Sequence, residues 1–233
     1  MPILLFANQK GGVGKSTLAI LYANHLASIS KDTSVLVIDI DFQKSIQRLR
    51  DEDLNLFNKD SVGYEVESYS INSYEQSIIL MENARKYTDK HPNSVIIIDF
   101  PGQINENIGK CIHGADYIIC PFRYDPIVMS STSMFISIVY NVKKEKSQGS
   151  LLFVPNRIKR NEGTIKEREI KKETNRILSK YGTVLPQITD CVDLGRLSTL
   201  YNSKRQVEVT KSCFECLDKI ILPDLFNKKK IIF

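Results

Sequence analysis

A glycine-rich turn near the N-terminus combines the residue types that bind a polyphosphate. The run ILLFANQKGGVGKST fills positions 3–17, and its apolar start leads into Gly11, Gly12, Val13, Gly14, Lys15, Ser16 and Thr17. Glycines let backbone N–H groups approach phosphate oxygens, and a helix that begins directly after the turn adds further donors. A lysine supplies a positive charge and a serine supplies a hydroxyl ligand for Mg²⁺. The order predicts a strand, an anion-binding loop and a helix.

Carboxylates end two further apolar runs. Asp39 and Asp41 stand at the end of VLVIDID, residues 35–41, and Asp99 ends VIIID, residues 95–99. Continuous β-branched runs of this kind are typical of strands buried on both faces of a parallel sheet. Because ligands of such sheets bind beyond the carboxyl ends of the strands, we expect these carboxylates near the glycine-rich loop. An aspartate that only caps a loop is the alternative for Asp99.

Apolar runs alternate with helical patterns along the chain. Strands are predicted at 3–7, 35–40, 95–99, 117–120 and 151–154, with Pro121 ending the fourth. Helices are predicted from Lys15 to about 28–31 and at 74–87, 126–142 and 164–180. The polar stretch 51–73 is expected at a sheet edge, with a short strand at 62–66. This alternation predicts an α/β fold with a mostly parallel, twisted sheet and helices on both faces.

Length and composition favour one domain in the cytoplasm. The chain has 233 residues, 42% of them hydrophobic, and neither a linker nor a repeat divides it, so a single domain over 1–233 is predicted. No apolar run approaches the roughly 20 residues that span a membrane, and no export signal precedes the first strand. Five cysteines, an odd number, do not make the pattern of a disulfide framework.

Cys213 and Cys216 form a CxxC pair that could indicate a zinc or iron–sulfur site. Such sites usually need four ligands, and the sequence offers neither a second CxxC nor a suitably spaced pair among His25, His91 and His113. On a helix, cysteines three positions apart are neighbours on one face. We therefore interpret the pair as structural.

Charge is distributed unevenly along the chain. Residues 1–142 carry 12 basic and 16 acidic side chains, a net charge of −4, whereas 143–233 carry 20 and 11, a net charge of +9. The basic half contains Arg196 in a predicted helix, followed by Lys204 and Arg205. This asymmetry indicates an anionic partner, nucleic acid first and anionic lipid second, and a solvated charged surface is the alternative.

Three motifs, in order, resemble those of one family. The run NQKGGVGKST resembles the deviant Walker A motif of the ParA/MinD group of P-loop ATPases, with Gln9 at the usual first glycine and Lys10 inside the loop. VLVIDIDFQKS (35–45) resembles the switch-one segment and VIIIDFPG (95–102) resembles Walker B. The chain is most similar to a short ParA-type protein. The resemblance is strong over 1–125 and fades toward 200, and it implies the P-loop NTPase fold with ATP and Mg²⁺ as cofactors.

The resemblance also implies roles for individual residues. Ser16 and Asp99 would hold Mg²⁺, and Asp41 would orient the water that attacks the γ-phosphate. Lys10 would cross to the nucleotide of a second subunit in an ATP-dependent homodimer, and Lys10, Lys15 and Asp41 are the predicted catalytic residues. An ordinary solvated loop lysine is the alternative for Lys10. The family usually has proline after the second aspartate, whereas this chain has Phe42, which leaves the loop shape open.

Asn156, in the run VPNR, corresponds in this resemblance to the asparagine that contacts adenine. An amide both donates and accepts, so it can pair with the edge of a base. A turn-forming asparagine after proline is the alternative. Together with residues 10–17, Asn156 completes the predicted nucleotide-binding set.

The resemblance implies an ATPase of plasmid or mobile-element partition. Its ATP dimer would bind DNA without sequence preference, with Arg196, Lys204 and Arg205 as candidate contacts. Hydrolysis, stimulated by a small ParB-like partner, would reset it, and the protein would be cytoplasmic and nucleoid-associated. Larger ParA proteins carry an N-terminal DNA-reading domain, which we do not expect here, so binding to an operator is not predicted.

A MinD-like ATPase that acts on a membrane surface is the alternative function. MinD-like chains end in an amphipathic helix, and this chain ends in DLFNKKKIIF, residues 224–233. Leu225, Phe226, Ile232 and Phe233 gather on one side of a helix, but Lys229 falls at the centre of that side. A terminal segment that docks on its own domain is a third interpretation of the tail.

Overall fold

The structure, a computed structural model, describes residues 2–57, 62–143, 150–159 and 164–223. Within these residues seven parallel strands form one sheet in the order β3-β2-β4-β1-β5-β6-β7. The strands are β1 (Ile3–Phe6), β2 (Ser34–Asp39), β3 (Glu65–Ser68), β4 (Ser94–Asp99), β5 (Tyr117–Phe122), β6 (Leu151–Pro155) and β7 (Thr183–Val184). The five predicted apolar strands, β1, β2, β4, β5 and β6, lie within two residues of their expected bounds.

Helices follow most of the strands. They are α1 (Lys15–Ile29), α2 (Ser45–Phe57), α3 (Tyr74–Lys90), α4 (Gly109–Gly114), α5 (Pro126–Lys143), α6 (Ile165–Leu178) and α7 (Lys204–Ile221). Two 3₁₀ turns, Glu106–Ile108 and Val192–Gly195, precede α4 and α7. α1, α2 and α7 bury side chains against one face of the sheet, and α3, α4 and α5 against the other. The predicted α/β fold with helices on both faces is confirmed.

The two faces of the sheet arise from the alternation of side chains along each strand. In β1, Ile3 and Leu5 point into one apolar cluster while Leu4 and Phe6 point into the other. All four side chains are fully buried, which explains why the strand is apolar at every position instead of alternating. The same reasoning applies to β4.

A crevice opens where the connections of two neighbouring strands diverge. β1 and β4 are hydrogen-bonded neighbours, but α1 after β1 and α4 after β4 pack on opposite faces of the sheet. Loops that part in this way leave a cleft beyond the carboxyl ends of the strands, where ligands of open α/β sheets bind. The glycine-rich loop and Asp99 both lie at this point.

The prediction that Pro121 ends its strand is wrong, because β5 continues to Phe122. Pro121 pairs in register with Val154 of β6, and its carbonyl accepts from the Asn8 side chain at 2.8 Å on the side of β1. β1 has ended at Phe6, so the missing proline N–H faces a position that has no strand to pair with. The strand therefore tolerates this proline.

The expectation for 51–73 is correct about the sheet edge, but it does not include the helix that the structure shows over 45–57. The edge strand is β3 at Glu65–Ser68, three residues beyond the predicted start, and residues 45–57 form α2. The buried side chains of α2 are Ile46, Arg50 and Asp53. Two of these three are charged, which interrupts the apolar stripe formed by Ile46 and Leu49 and weakens the sequence signal for the helix.

The predicted helix containing Arg196 is also wrong. Arg196 directly follows the 3₁₀ turn, and Lys204 and Arg205 begin α7 instead of following a helix. Ser203 accepts from the Gln206 backbone N–H at 3.2 Å, and the Gln206 side chain accepts from the Ser203 N–H at 2.7 Å. This capping box fixes where α7 begins. The C-terminal stretch 224–233 lies outside the described residues.

Candidate functional site

The glycine-rich loop joins β1 to α1 and adopts two left-handed backbone conformations. Gly12 has φ 74° and Gly14 has φ 99°, values that residues with a Cβ rarely adopt. A Cβ on Gly14 would also run into the side-chain nitrogen of Asn156. Gly14 is therefore required twice, by its backbone and by its neighbour. Gly11 and Gly12 are exposed and open toward the cleft.

Lys15 is the first residue of α1 and is 7% exposed. Its ammonium group curls back to donate to the Lys10 carbonyl at 3.2 Å. Burial lowers the pKa of Lys15, and the nearby carboxylates Asp99 and Asp41 act in the opposite direction. A partly desolvated positive charge inside a ring of backbone amides is suited to bind phosphate oxygens.

Asp99 lies at the carboxyl end of β4 and is fully buried. Neither of its carboxylate oxygens has a hydrogen-bond partner of acceptable geometry within the described residues. Burial raises the pKa of Asp99 to about 7; the Ser16 hydroxyl and Lys15 lower it, and Asp39 and Asp41 raise it. A buried carboxylate with free lone pairs beside a serine hydroxyl fits Mg²⁺, which takes oxygen ligands and keeps some of its water.

Asp39 holds the loop that carries Asp41. Its buried carboxylate accepts from the backbone N–H of Asp41 at 3.1 Å, of Ile46 at 2.9 Å and of Gln47 at 3.4 Å. Burial raises the pKa of Asp39, and these three N–H groups oppose that shift. The side chain thereby fastens the end of β2 to the first turn of α2. Asp39 therefore supports the turn that carries Asp41.

Asp41 stands in a tight turn at the rim of the cleft. Its side chain accepts from the Gln43 N–H at 2.9 Å, its carbonyl accepts from the Lys44 N–H at 2.9 Å, and Lys44 has φ 47°. Phe42, where proline is usual in the family, is 93% exposed. The turn therefore forms without proline, and the large side chain at this position points away from the core.

These loops enclose a cleft of about 870 Å³. Its walls are the glycine-rich loop, the Asp41 turn and the loop after β4, which includes Gly102. A Cβ on Gly102 would lie 3.5 Å from the Gly11 backbone, so the loop after β4 packs directly against the glycine-rich loop. The structure thus brings together Lys15, Ser16, Asp41 and Asp99, as the sequence predicts.

Lys10 is half-buried in the loop, and its carbonyl oxygen accepts from Lys15. Its ammonium group has no ion pair among residues 2–57, 62–143, 150–159 and 164–223. The side chain is therefore not committed to an ion pair within the described part of its own subunit. A crossing role in a dimer stays a prediction.

Asn156 is buried beneath the loop. Its side-chain nitrogen donates to the Val13 carbonyl at 2.9 Å, and its backbone N–H donates to the Phe122 carbonyl. Its side-chain oxygen is buried and has no hydrogen-bond partner among the described residues. In this geometry the amide supports the glycine-rich loop. Contact with adenine stays a prediction, for which the unpaired oxygen is the available acceptor.

Asn8 also supports the glycine-rich loop, a role that sequence reasoning did not assign to it. It directly follows β1, is fully buried, and donates to the Pro121 carbonyl at 2.8 Å and to the Thr132 hydroxyl at 3.0 Å. These bonds fix the start of the loop to β5 and α5. The available signal was an asparagine between an apolar strand and a glycine-rich turn, where a buried amide can satisfy loop and strand ends.

The three candidate DNA contacts are Arg196, which follows the 3₁₀ turn, and Lys204 and Arg205, which begin α7. The side chain of Gln206 joins these two segments. Gln206 donates from its buried amide to the carbonyls of Asp193 at 2.7 Å and Arg196 at 3.0 Å, which brings Arg196 beside the start of α7. Arg196 pairs with Asp193 at 3.6 Å, and Arg205 pairs with Glu208 at 2.5 Å. Lys204 is exposed.

Cys213 and Cys216 lie on α7, where Cys213 is buried against α1 and Cys216 is partly exposed. Burial raises the pKa of the Cys213 thiol well above its ordinary value. In the part of the chain that the structure describes, no group of three or more His, Cys, Asp or Glu side chains is placed to hold a metal ion. Nor is any described helix long and apolar enough to cross a membrane.

Fold and site together define a P-loop nucleotide-binding protein. The chain belongs to the family of CobQ/CobB/MinD/ParA nucleotide binding domains, whose model matches residues 4–198. No curated protein matches the chain significantly in sequence. This membership confirms the resemblance to ParA and MinD ATPases.

Solved structures of three kinds share the fold. The ATP complex of McdA from Cyanothece has a TM-score of 0.75 at 16% identity, covering 95% of this chain and 96% of that one. A plasmid partition protein from Borrelia burgdorferi has a TM-score of 0.69 at 21% identity, with 94% and 99% covered. The cell division protein MinD from Aquifex aeolicus has a TM-score of 0.71 at 16% identity, with 95% and 97% covered.

Proposed function

We propose that the protein is a ParA-type partition ATPase. It binds ATP with Mg²⁺, dimerises, binds DNA without sequence preference and is reset by hydrolysis that a ParB-like partner stimulates. The observation that carries the ATPase part is Asp99, whose two buried oxygens have no partner among the described residues and face Ser16 and Lys15. A buried carboxylate without a partner is costly unless a ligand completes it.

The chain's own residues divide the chemistry among them. The glycine-rich loop surrounds the phosphates with backbone N–H groups, and Lys15 neutralises part of their charge. Ser16 and Asp99 would hold Mg²⁺, which when bound neutralises the charge that develops on the phosphate oxygens. Asp41, in its turn at the rim, accepts a hydrogen bond from the attacking water and orients it. Asp39 keeps that turn in place through its three backbone bonds.

Replacing Asp41 tests the hydrolytic role directly. Asp41→Ala is expected to bind ATP within about threefold of the wild-type affinity and to lose turnover by about 100-fold or more, because one orienting group contributes roughly that factor. Nucleotide affinity is measured by fluorescence titration and turnover by phosphate release. Asp51→Ala, an exposed carboxylate on α2, is the matched control. Unchanged turnover in Asp41→Ala would remove Asp41 from catalysis.

Lys10 supports the dimer because it is an additional lysine in the loop whose ammonium group has no partner in the described part of its own subunit. Lys10→Ala is expected to remain monomeric with ATP and Mg²⁺, while the wild type dimerises, as measured by light scattering. Lys44→Ala, which removes a lysine from the neighbouring turn, is the control. Dimerisation of Lys10→Ala to the wild-type extent would contradict a crossing role.

A MinD-like role at a membrane remains the second candidate, favoured by the three lysines and the apolar residues within 224–233. Two assays with ATP separate the candidates: binding to a duplex DNA at low salt and sedimentation with anionic vesicles. The partition proposal expects the first to be positive and the second negative. Vesicle binding that is lost on deletion of 224–233, without DNA binding, would establish the membrane role instead.

A further inference from the structure

Two buried charged side chains of α2 converge on one residue of a distant loop. Arg50 and Asp53 are 4% and 7% exposed, and Thr199 is fully buried. Arg50 donates to the Thr199 hydroxyl at 2.9 Å and to its carbonyl at 3.1 Å. Asp53 accepts from the Thr199 N–H at 2.5 Å and from its hydroxyl at 2.8 Å. Every polar group of Thr199 is therefore held by α2.

The first turn of α2 is fastened to the nucleotide site. Asp39 accepts from the N–H groups of Ile46 and Gln47 in its first turn, and the Asp41 turn directly precedes it. From Ser45 to Asp53 the helix rises about 12 Å at 1.5 Å per residue. It is thus a short rigid connection between the turn that faces the γ-phosphate position and Thr199.

The loop around Thr199 is also bonded to α1, the helix that begins at Lys15. Asn24 of α1 donates to the Ser198 carbonyl at 2.8 Å and to the Asn202 side chain at 3.0 Å, and Asn202 donates to the Leu21 carbonyl at 2.8 Å. We call residues 198–203 the relay segment. It contacts both helices that start in the nucleotide site, and it ends at Ser203, which caps α7.

Because of these contacts, the relay segment moves when α1 or α2 shifts. On leaving Thr199, Arg50 would keep its bond to the Tyr64 carbonyl. Asp53 would keep only the longer bond from the Ser198 hydroxyl, which belongs to the same segment. Losing the Thr199 bonds of two buried charges is costly, so a shift of α2 moves the segment with it. A shift of α2 relative to α1 changes the geometry at Ser203 and hence at the first turn of α7. That turn carries Lys204 and Arg205.

We propose that the relay segment transmits the nucleotide state of the Asp41 turn to the first turn of α7. The proposal rests on the proposed function, because it needs ATP at the cleft and assigns Lys204 and Arg205 to the output. It adds a conformational mechanism to that function. In the ATP state α2 holds the relay segment in one fixed arrangement, and in the ADP state the relay segment and the start of α7 open more readily.

Backbone hydrogen exchange of 198–206 tests the device without using DNA. With Mg²⁺ and a slowly hydrolysed ATP analogue, exchange in the wild type should be at least about tenfold slower than with ADP. Thr199→Val removes the hydroxyl that bridges Arg50 and Asp53 while keeping the shape, and should reduce that difference to below about twofold with nucleotide affinity unchanged. Thr199→Ser should restore the difference.

Thr210→Val is the matched control, since Thr210 is equally buried on α7 but, among the described residues, its hydroxyl donates only within its own helix, to the carbonyls of Gln206 and Val207. It should keep the wild-type difference. Equal exchange in the two nucleotide states of the wild type would overturn the relay, and this comparison needs no variant to fold. A wild-type difference in Thr199→Val would also overturn it. Failure to bind either nucleotide would refute the proposed function itself, and absence of DNA binding alone would refute only its DNA part.

Discussion

At the scale of single residues, Gly14 carries the strictest constraint in the site. Its left-handed backbone and the Asn156 amide packed against it are two independent reasons for glycine, whereas Gly12 has only the first. Asn156 in turn supports the loop through Val13. The pair therefore couples the shape of the loop to the end of β6.

Gly14→Ala and Gly12→Ala separate these two effects. Gly12→Ala is expected to lower the free energy of unfolding by about 1–2 kcal/mol, from backbone strain alone. Gly14→Ala should lower it by about 2–5 kcal/mol, because Asn156 must also move and a buried amide loses its partner. Denaturant unfolding measures both, and Gly11→Ala, with neither strain nor a close neighbour, is the control. Equal losses at positions 12 and 14 would contradict the role of Asn156.

At the scale of elements, α2 connects the site to the rest of the molecule through polar contacts. Its N-terminus is held by Asp39, and its middle by Arg50 and Asp53. Arg50 also lies over the Tyr64 ring at 4.4 Å and donates to the Tyr64 carbonyl at 2.8 Å. An element anchored in this way keeps the Asp41 turn in a defined place.

Asp39→Asn should weaken that anchor while leaving the loop that binds phosphate intact. The amide retains one accepting oxygen but presents an NH₂ group to backbone N–H donors, so the turn loses its fixed position. We expect kcat to fall by about 10- to 100-fold through misplacement of Asp41, with ATP affinity changed less than about threefold. Phosphate release and nucleotide titration measure the two. Asp51→Asn, whose exposed carboxylate accepts only from the Gln47 side chain among the described residues, should change neither. An equal loss of affinity and kcat would place Asp39 in phosphate binding instead.

At the scale of the whole molecule, the sequence predicts the parts governed by apolar patterns. β1, β2, β4 and β6 are continuous apolar runs, and Lys15, Ser16, Asp41 and Asp99 sit at fixed offsets from their ends. An apolar pattern does not predict α2, because Arg50 and Asp53 are among its buried side chains. The contacts of Asn8 and Thr199 with distant elements depend on tertiary packing, which no local pattern contains. The polar contacts between distant elements are therefore the part of the fold that only the structure reveals.

The basic C-terminal half leads to the last prediction, which concerns DNA. Residues 143–233 carry a net charge of +9. Arg196 and Arg205 form ion pairs with Asp193 and Glu208, so DNA phosphates must compete with these carboxylates for the two arginines. Contacts of this kind read no base edges, and binding should be equal for unrelated duplexes, stronger with ATP and steeply weakened by salt.

Lys204→Ala combined with Arg205→Ala tests where the phosphate contacts lie. Each lost contact reduces the slope of log K against log salt by about 0.9, so two residues in each subunit of a dimer should reduce it by about 3 to 4. Basal ATPase should be retained. The control is the pair Arg168→Ala and Lys172→Ala on exposed α6, which removes the same charge elsewhere. Fluorescence anisotropy over a range of salt concentrations measures both slopes. Both double variants remove the same charge, so only a localised contact at the start of α7 can make their slopes differ. Equal flattening would mean that net charge governs binding.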